Sequence, residues 1–217
     1  MINNRCFDLL VFDFDGTLTD SIPPAIDAIQ KMLSMSGYPF KSKEEINKFV
    51  GFGEIPLISG SIGTEDPEKI QAAMKIYFKN YMENGLKHIK LYPNVRNMLE
   101  ALGKKKKVII SNKRDEFIRK ILDYHKLAGC FDEVLGGDSA PCLKPDPCAI
   151  NKIIKDNNIK LDRVLFVGDM TVDIETGKNA GVYTCAVTYG FDSREKLEKL
   201  NPDYIIDDAM ELTKIVR

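Results

Sequence analysis

The sequence has no tryptophan, two histidines, five cysteines and almost no net charge. His88 and His125 each stand apart from any serine–acid arrangement, which argues against a histidine-based nucleophile relay. The cysteines (Cys6, Cys130, Cys142, Cys148 and Cys185) are odd in number and show no CxxC spacing. Neither a disulfide framework nor a structural zinc site is therefore expected. Cys142 and Cys148 read as packing residues, and free thiols suit a reducing, cytoplasmic compartment. No apolar run approaches the ~20 residues that span a bilayer, and the start of the sequence carries no cleavable signal pattern. Lysine plus arginine number 31 against 32 for aspartate plus glutamate, a net charge of −1. That balance offers no electrostatic footprint for nucleic acid or an anionic membrane. The one basic run, Lys104 to Lys107, reads as a solvated helix end.

Apolar material is plentiful. Hydrophobic residues make up 44% of the 217, enough for one substantial domain or one domain carrying a smaller insert. From Ser21 to about His88 the pattern is helical. Ile22, Ile26, Ile29, Met32 and Leu33 recur at helix spacing. Ser42 and Glu45 make a capping-box pattern, and Asp66-Pro67 opens a longer helix. The segment Gly51-Phe52-Gly53-Glu54-Ile55-Pro56 interrupts this block. After Tyr92-Pro93, strand-like runs at 108–110, 133–135, 163–167, 182–187 and 204–206 alternate with helical spacing. That alternation predicts an α/β fold with a Rossmann-like parallel sheet and helices on both faces. The simplest organisation is a core of residues 1–20 and 89–217, interrupted by an all-helical cap at 21–88.

The stretch Leu9 to Asp20, LLVFDFDGTLTD, organises the rest. An apolar run ends in two acids, Asp13 and Asp15, and residues two apart on an extended segment share a side. They would emerge where open α/β sheets place their ligand crevices, at the carboxyl ends of the strands. Other expected strand ends carry Ser111-Asn112 and Gly168-Asp169, with Asp173 four residues on. Lys144 lies in a loop, Leu143-Lys144-Pro145-Asp146-Pro147. Parallel strands would bring these to one edge. Clustered carboxylates repel unless a cation sits among them, and hard oxygen ligands suit Mg²⁺. Lys144, Ser111 and the backbone of the Gly16-Thr17 turn would hold an anionic group beside it. An aspartate so placed can attack phosphorus, and a second can move protons.

Each residue also has a plainer reading. Ser111 could cap the following helix, Lys144 could be an exposed loop lysine, and Asp173 could serve a helix dipole. Taken together and in order, the four segments resemble the motifs of the haloacid dehalogenase-like phosphohydrolases, and most of all the phosphoglycolate phosphatase group. The resemblance covers nearly the whole chain and includes Val50-Gly51-Phe52-Gly53 in the cap and Pro202 to Ile206 near the end. It implies that Asp13 is the nucleophile and Asp15 the general acid/base. It further implies that Ser111, Asn112 and Lys144 hold phosphate. Asp13, Asp15 (by its carbonyl) and Asp169 would bind Mg²⁺, with Asp173 behind them. The implied substrate is a small phosphorylated metabolite of the phosphoglycolate type, cleaved through an aspartyl-phosphate by a monomer or homodimer. Pyrophosphatase, nucleotidase, phosphonatase and phosphosugar mutase activities are the alternatives within the family, and a non-catalytic scaffold the alternative outside it. A phosphonatase would draw its amine from a cap lysine, and Lys31, Lys41, Lys43 and Lys48 are available. The Gly51-Phe52-Gly53 loop is the expected point of closest approach to substrate, because glycine admits close backbone contact.

Overall fold

The computed structural model describes residues 6–216. Its main sheet has six strands, all parallel, in the order β5-β4-β1-β6-β7-β8. These are β1 (Leu9–Phe12), β4 (Lys106–Ile110), β5 (Glu133–Leu135), β6 (Val164–Gly168), β7 (Tyr183–Val187) and β8 (Tyr204–Ile206). Two further strands, β2 (Thr19–Asp20) and β3 (Lys90–Leu91), form a separate antiparallel pair. Strand β1 is fully buried because it has a partner on each side and a layer on each face. Phe12 lies opposite Ile109 of β4 and Val167 of β6. Its side chains alternate between two cores, as a pleated strand requires. Leu10 and Phe12 join one cluster with Ile109, Leu165, Val167 and Phe117. Leu9 and Val11 join the other with Val108, Ile110, Phe166 and Ile150. Each fully buried side chain of this size contributes roughly 1.5–3 kcal/mol.

Helices α5 (Val95–Ala101), α6 (Asp115–Tyr124), α7 (Cys148–Asp156), α8 (Thr171–Ala180), α9 (Arg194–Lys199) and α10 (Leu212–Ile215) connect and follow the strands. The chain runs outward from β4 to β5, then returns across β1 to β6. The order therefore reverses beside β1, and crevices in open α/β sheets form at such reversals. Between β2 and β3 lie α1 (Ile22–Met35), α2 (Lys43–Asn47), α3 (Glu54–Ile62) and α4 (Pro67–Asn80), with a π turn at Tyr81–Gly85. Both passages of chain into and out of this block are hydrogen-bonded to each other, Thr19 opposite Leu91 and Asp20 opposite Lys90.

Most elements fall within two residues of the sequence expectation, including the Ser42–Glu45 capping box and the Asp66 cap. Three differ. Helix α3 begins inside the stretch expected to be an interruption. Gly53 precedes it at φ 94°, and Pro56 sits in the first turn, where a missing N–H costs nothing. Helix α9 buries only Leu197, too little apolar periodicity to read. The lysine run does not end a helix. Lys106 and Lys107 open β4, and buried Lys107 folds its ammonium back onto the carbonyls of Gly103 and Lys105. Among the described residues no helix is long and apolar enough to cross a membrane.

Candidate active site

The site starts one residue past β1. The Asp13 N–H donates to Val167 O at 2.9 Å, so the carboxylate is fixed to the sheet edge rather than to a loop. The chain then turns at Gly16, whose φ is +86°, and a Cβ there would lie 2.1 Å from Asp169 Oδ2. Only glycine lets the turn pass so close to that carboxylate. Asp169 follows β6 directly. It accepts from Thr17 Oγ1 and from Phe191 N, both at 2.8 Å. Asp173, in the first turn of α8, accepts from the N–H groups of Asp169 (3.1 Å) and Met170 (2.9 Å).

Lys144 joins the set from the loop before α7. It is not an exposed loop lysine; it is buried, with its ammonium 2.6 Å from Asp13 Oδ1 and 2.6 Å from Asp173 Oδ1. Burial alone would discharge this lysine, but Asp13 and Asp173 outweigh it and raise its pKa. Burial pushes the Asp13 carboxyl up to about 7, with Lys144 opposing and Asp173 reinforcing the rise. Burial, Asp173 and Asp13 together push Asp169 well above the usual carboxylate range. The three acids offer oxygens within 4.8 Å of one another. Asp13 Oδ1 has the ammonium beside it but no aligned hydrogen bond. Buried, crowded carboxylates with one lysine between them are short of positive charge, and an all-oxygen donor set fits a hard divalent cation.

Asp15 lines the same opening. Ser21 Oγ donates to Asp15 Oδ1, and the Lys113 ammonium is 3.1 Å from that oxygen. Asp13, Asp15, Ser111, Lys113, Lys144 and Glu54 are among the residues lining a cavity of about 70 Å³. That exceeds the ~10–15 Å³ needed to hold a single water. Glu54 and Leu57 of helix α3 and Gly51 and Gly53 of the loop before it also line the cavity.

The structure brings all seven residues singled out from the sequence to this edge. It gives two of them additional partners. Asn112 donates to Gly51 O (3.0 Å) and Lys144 O (3.2 Å) and accepts from Lys144 N (2.8 Å). Its amide therefore ties the lysine loop to the helical block. Ser111 Oγ accepts from Lys113 N at 3.4 Å and does not cap α6, whose N-cap is Arg114. Of the Gly16-Thr17 turn expected to face an anion, the Gly16 N–H is used up, because it donates to Thr19 O at 2.9 Å and closes the turn.

Cys142 and Cys148 are not merely packed. They form a disulfide, Cα atoms 6.1 Å apart, across the loop that carries Lys144. A spacing of six outside any CxxC pattern gave no sign that the loop turns back so tightly. Several residues of the site carried no sequence signal of their side-chain partners. Thr17 lies inside the acidic motif without a recognised side-chain role. Lys113 and Tyr81 are buried polar residues whose partners lie far away in the chain. Glu54 accepts from Arg114 N at 2.9 Å from a helix that the sequence did not reveal. None of Lys31, Lys41, Lys43 and Lys48 lines this cavity; Lys41 donates to Gly60 O and Lys43 pairs with Asp27.

Comparison with known proteins extends this geometry. Residues 10–187 match the family described as haloacid dehalogenase-like hydrolase. A phosphoglycolate phosphatase of Vibrio parahaemolyticus is 35% identical over 96% of this chain and 95% of its own length. One from Psychrobacter arcticus is 34% identical over 92% and 91%. Among solved structures, a predicted phosphoglycolate phosphatase from Haemophilus somnus superposes with a TM-score of 0.90 at 29% identity, covering 96% of this chain and 97% of that one. A predicted phosphatase from Clostridium acetobutylicum gives a TM-score of 0.82 at 28% identity, covering 97% and 98%.

Proposed function

We propose that this chain, which belongs to the haloacid dehalogenase-like hydrolases and is a phosphatase of that family, hydrolyses a small cytoplasmic phosphate monoester of the phosphoglycolate type through an aspartyl-phosphate. The observation that carries the reading is the pair of acids in one opening. Asp13 shares Lys144 with Asp173, and Asp15 pairs with Ser21 and Lys113. A nucleophile and a proton carrier lining one small cavity suit an in-line displacement.

In this mechanism Asp13 attacks phosphorus and the P–O bond to the alcohol breaks. Asp15 gives its proton to the departing oxygen, then takes one from the water that hydrolyses the aspartyl-phosphate. Lys144 and Ser111 hold the equatorial phosphoryl oxygens, and Asn112 fixes the lysine loop in place. Asp13, Asp169 and the Asp15 carbonyl would hold Mg²⁺, with Asp173 orienting the set. When bound, the cation neutralises phosphoryl oxygens and carboxylates together. Residues 21–88 form the cap that covers the cavity, and the β2–β3 pair is its hinge. Covering the cavity excludes water and strengthens the charge interactions within. The phosphonatase alternative is disfavoured because the cap lysines named for it lie elsewhere.

The test is a phosphate-release assay over a panel: 2-phosphoglycolate, pyrophosphate, nucleoside monophosphates, hexose phosphates and phosphonoacetaldehyde. With Mg²⁺, 2-phosphoglycolate should have the highest kcat/KM, and chelation should abolish turnover. Preference for pyrophosphate or a nucleotide would replace the substrate. No turnover of any ester would leave a scaffold.

A further inference from the structure

The cap is hydrogen-bonded to three consecutive residues after β4. Asn112 Nδ2 donates to Gly51 O at 3.0 Å, Lys113 Nζ donates to the Tyr81 hydroxyl at 2.9 Å, and Arg114 N donates to Glu54 Oε1 at 2.9 Å. The middle contact differs from its neighbours because it leads on to the proton carrier. The Lys113 ammonium lies 3.1 and 3.3 Å from the two Asp15 oxygens. A cap hydroxyl is therefore one side chain away from the carboxyl that meets the leaving oxygen. Asp15 and Lys113 line the cavity, and Tyr81 is not among its lining residues. Neither Lys113 nor Tyr81 has a part in the mechanism above.

The Lys113 backbone is fixed by the sheet domain: its N–H donates to Ser111 Oγ at 3.4 Å and its carbonyl accepts from Gly137 N at 2.8 Å. That places the chain but not the ammonium, which rides on a flexible four-carbon stem. Tyr81 places the ammonium. Besides the hydroxyl contact, Nζ lies 4.8 Å from the centre of the Tyr81 ring, within the ~6 Å at which a ring face attracts a cation. Tyr81 in turn is 1% exposed, stacked on Tyr77 at 5.6 Å and edge-on to Phe117 at 5.2 Å between centroids. A ring packed in this way does not drift, so its hydroxyl is a fixed anchor. Ser21 Oγ holds one Asp15 oxygen and by itself leaves the carboxyl free to turn about that contact. A proton carrier works only within ~2.6–3.2 Å of the oxygen it serves, so a carboxyl that turns freely is out of reach for much of the time.

We infer that Tyr81 is a positioning residue: its hydroxyl anchors the Lys113 ammonium, which orients the Asp15 carboxyl toward the leaving oxygen. This rests on the phosphatase reading and deepens it. Proton transfer is thereby tied to the seating of the cap, because the anchor belongs to the cap and the carboxyl to the sheet domain. Asp15 moves a proton twice, to the departing oxygen and from the attacking water. Only the first transfer depends on how basic the departing oxygen is.

The experiment uses Tyr81→Phe, which keeps the packed ring and removes only the hydroxyl. Its substrates are the ester that wild-type protein cleaves best, 2-phosphoglycolate on the reading above, and acetyl phosphate, whose acetate leaves without a proton. With Mg²⁺, Tyr81→Phe should lower kcat/KM for the ester by about tenfold, a part of the ~10²–10⁴ that a placed proton carrier contributes. The loss for acetyl phosphate should be several-fold smaller. Binding of the ester to Asp13→Asn protein, measured by calorimetry, should change by less than about twofold when Tyr81→Phe is added, because the hydroxyl acts on proton transfer and not on binding. Lys113→Met should lower the ester's kcat/KM at least as much, and adding Tyr81→Phe to it should cost nothing more, since the hydroxyl acts through the ammonium. Thermal melts identify any variant that fails to fold, and the Tyr81→Phe comparison stands without Lys113→Met. If wild-type protein cleaves the ester and Tyr81→Phe leaves its kcat/KM unchanged, or lowers both substrates alike, Tyr81 only packs the cap against the sheet domain and the inference falls while the phosphatase reading stands. If acetyl phosphate is not turned over, the binding arm decides, and weaker binding equal to the loss in kcat/KM overturns the inference. If wild-type protein cleaves no ester, both fall.

Discussion

Asp13→Asn offers a test of the site that does not depend on knowing the substrate. On folding, the Asp13 carboxyl goes from 3.8 to about 7, chiefly through burial, with Asp173 adding repulsion and Lys144 subtracting some of it. A raised folded-state pKa contributes stability that is complete below pH 3.8 and is lost as pH rises through about 7. At ~1.36 kcal/mol per pK unit, holding Asp13 ionised in metal-free protein at pH 8 costs about 4 kcal/mol. Asparagine removes that cost, which is already net of the 2.6 Å contact with Lys144. The expectation is a gain of up to about 4 kcal/mol, or roughly 8–16 °C in Tm at ~2–4 °C per kcal/mol for a chain of this size. The assay is thermal melting of wild type and mutant in chelator at pH 5 and pH 8. The mutant's advantage should grow from pH 5 to pH 8, because wild-type Asp13 is protonated in the folded state at the lower value. Mg²⁺ should then stabilise wild type more than the mutant, while turnover of any substrate falls by at least about 10³-fold in the mutant. A mutant that melts below wild type at pH 8, or an advantage independent of pH, would show that Asp13 is not a desolvated, crowded carboxylate.

Gly16→Ala should abolish turnover and lower Tm, since its Cβ would meet Asp169 Oδ2 at 2.1 Å and the residue would hold φ +86°; a mutant with wild-type activity would mean that the turn relaxes freely. Gly51→Ala should cost about 1–3 kcal/mol in Tm measurements through its φ of +93°. Its Cβ would meet Met170 only at the flexible end of that side chain, 2.6 Å from Sδ and Cε, so the fold should survive. It should also lower kcat/KM, because the Gly51 carbonyl is one of the acceptors that orient Asn112; unchanged kinetics would confine the loop to a structural role.

Much of the architecture was legible because burial is periodic. The unbroken apolar run Leu9 to Phe12, the helix spacing of Ile22 to Leu33 and the caps at Ser42 and Asp66 are local properties, and local order follows from them. Parallel strands then place Asp13, Ser111 and Asp169 at a common edge without further information, because every strand of the sheet ends on the same side. What only the tertiary structure decided depends on pairs distant in sequence. That Lys144 reaches Asp13 and Asp173, that Asn112 is occupied by the backbones of Gly51 and Lys144, and that Lys113 stands between Asp15 and Tyr81 are contacts between loops and layers. Spacing cannot encode them, because a loop lysine reads the same whether it faces water or a carboxylate. The same holds for Cys142 and Cys148, which meet only because the loop between them folds back. It holds equally for the Gly16 N–H, which is used up by Thr19 once the turn closes. The chemistry was visible as a set of residue types. Which atoms face the cavity was settled by packing.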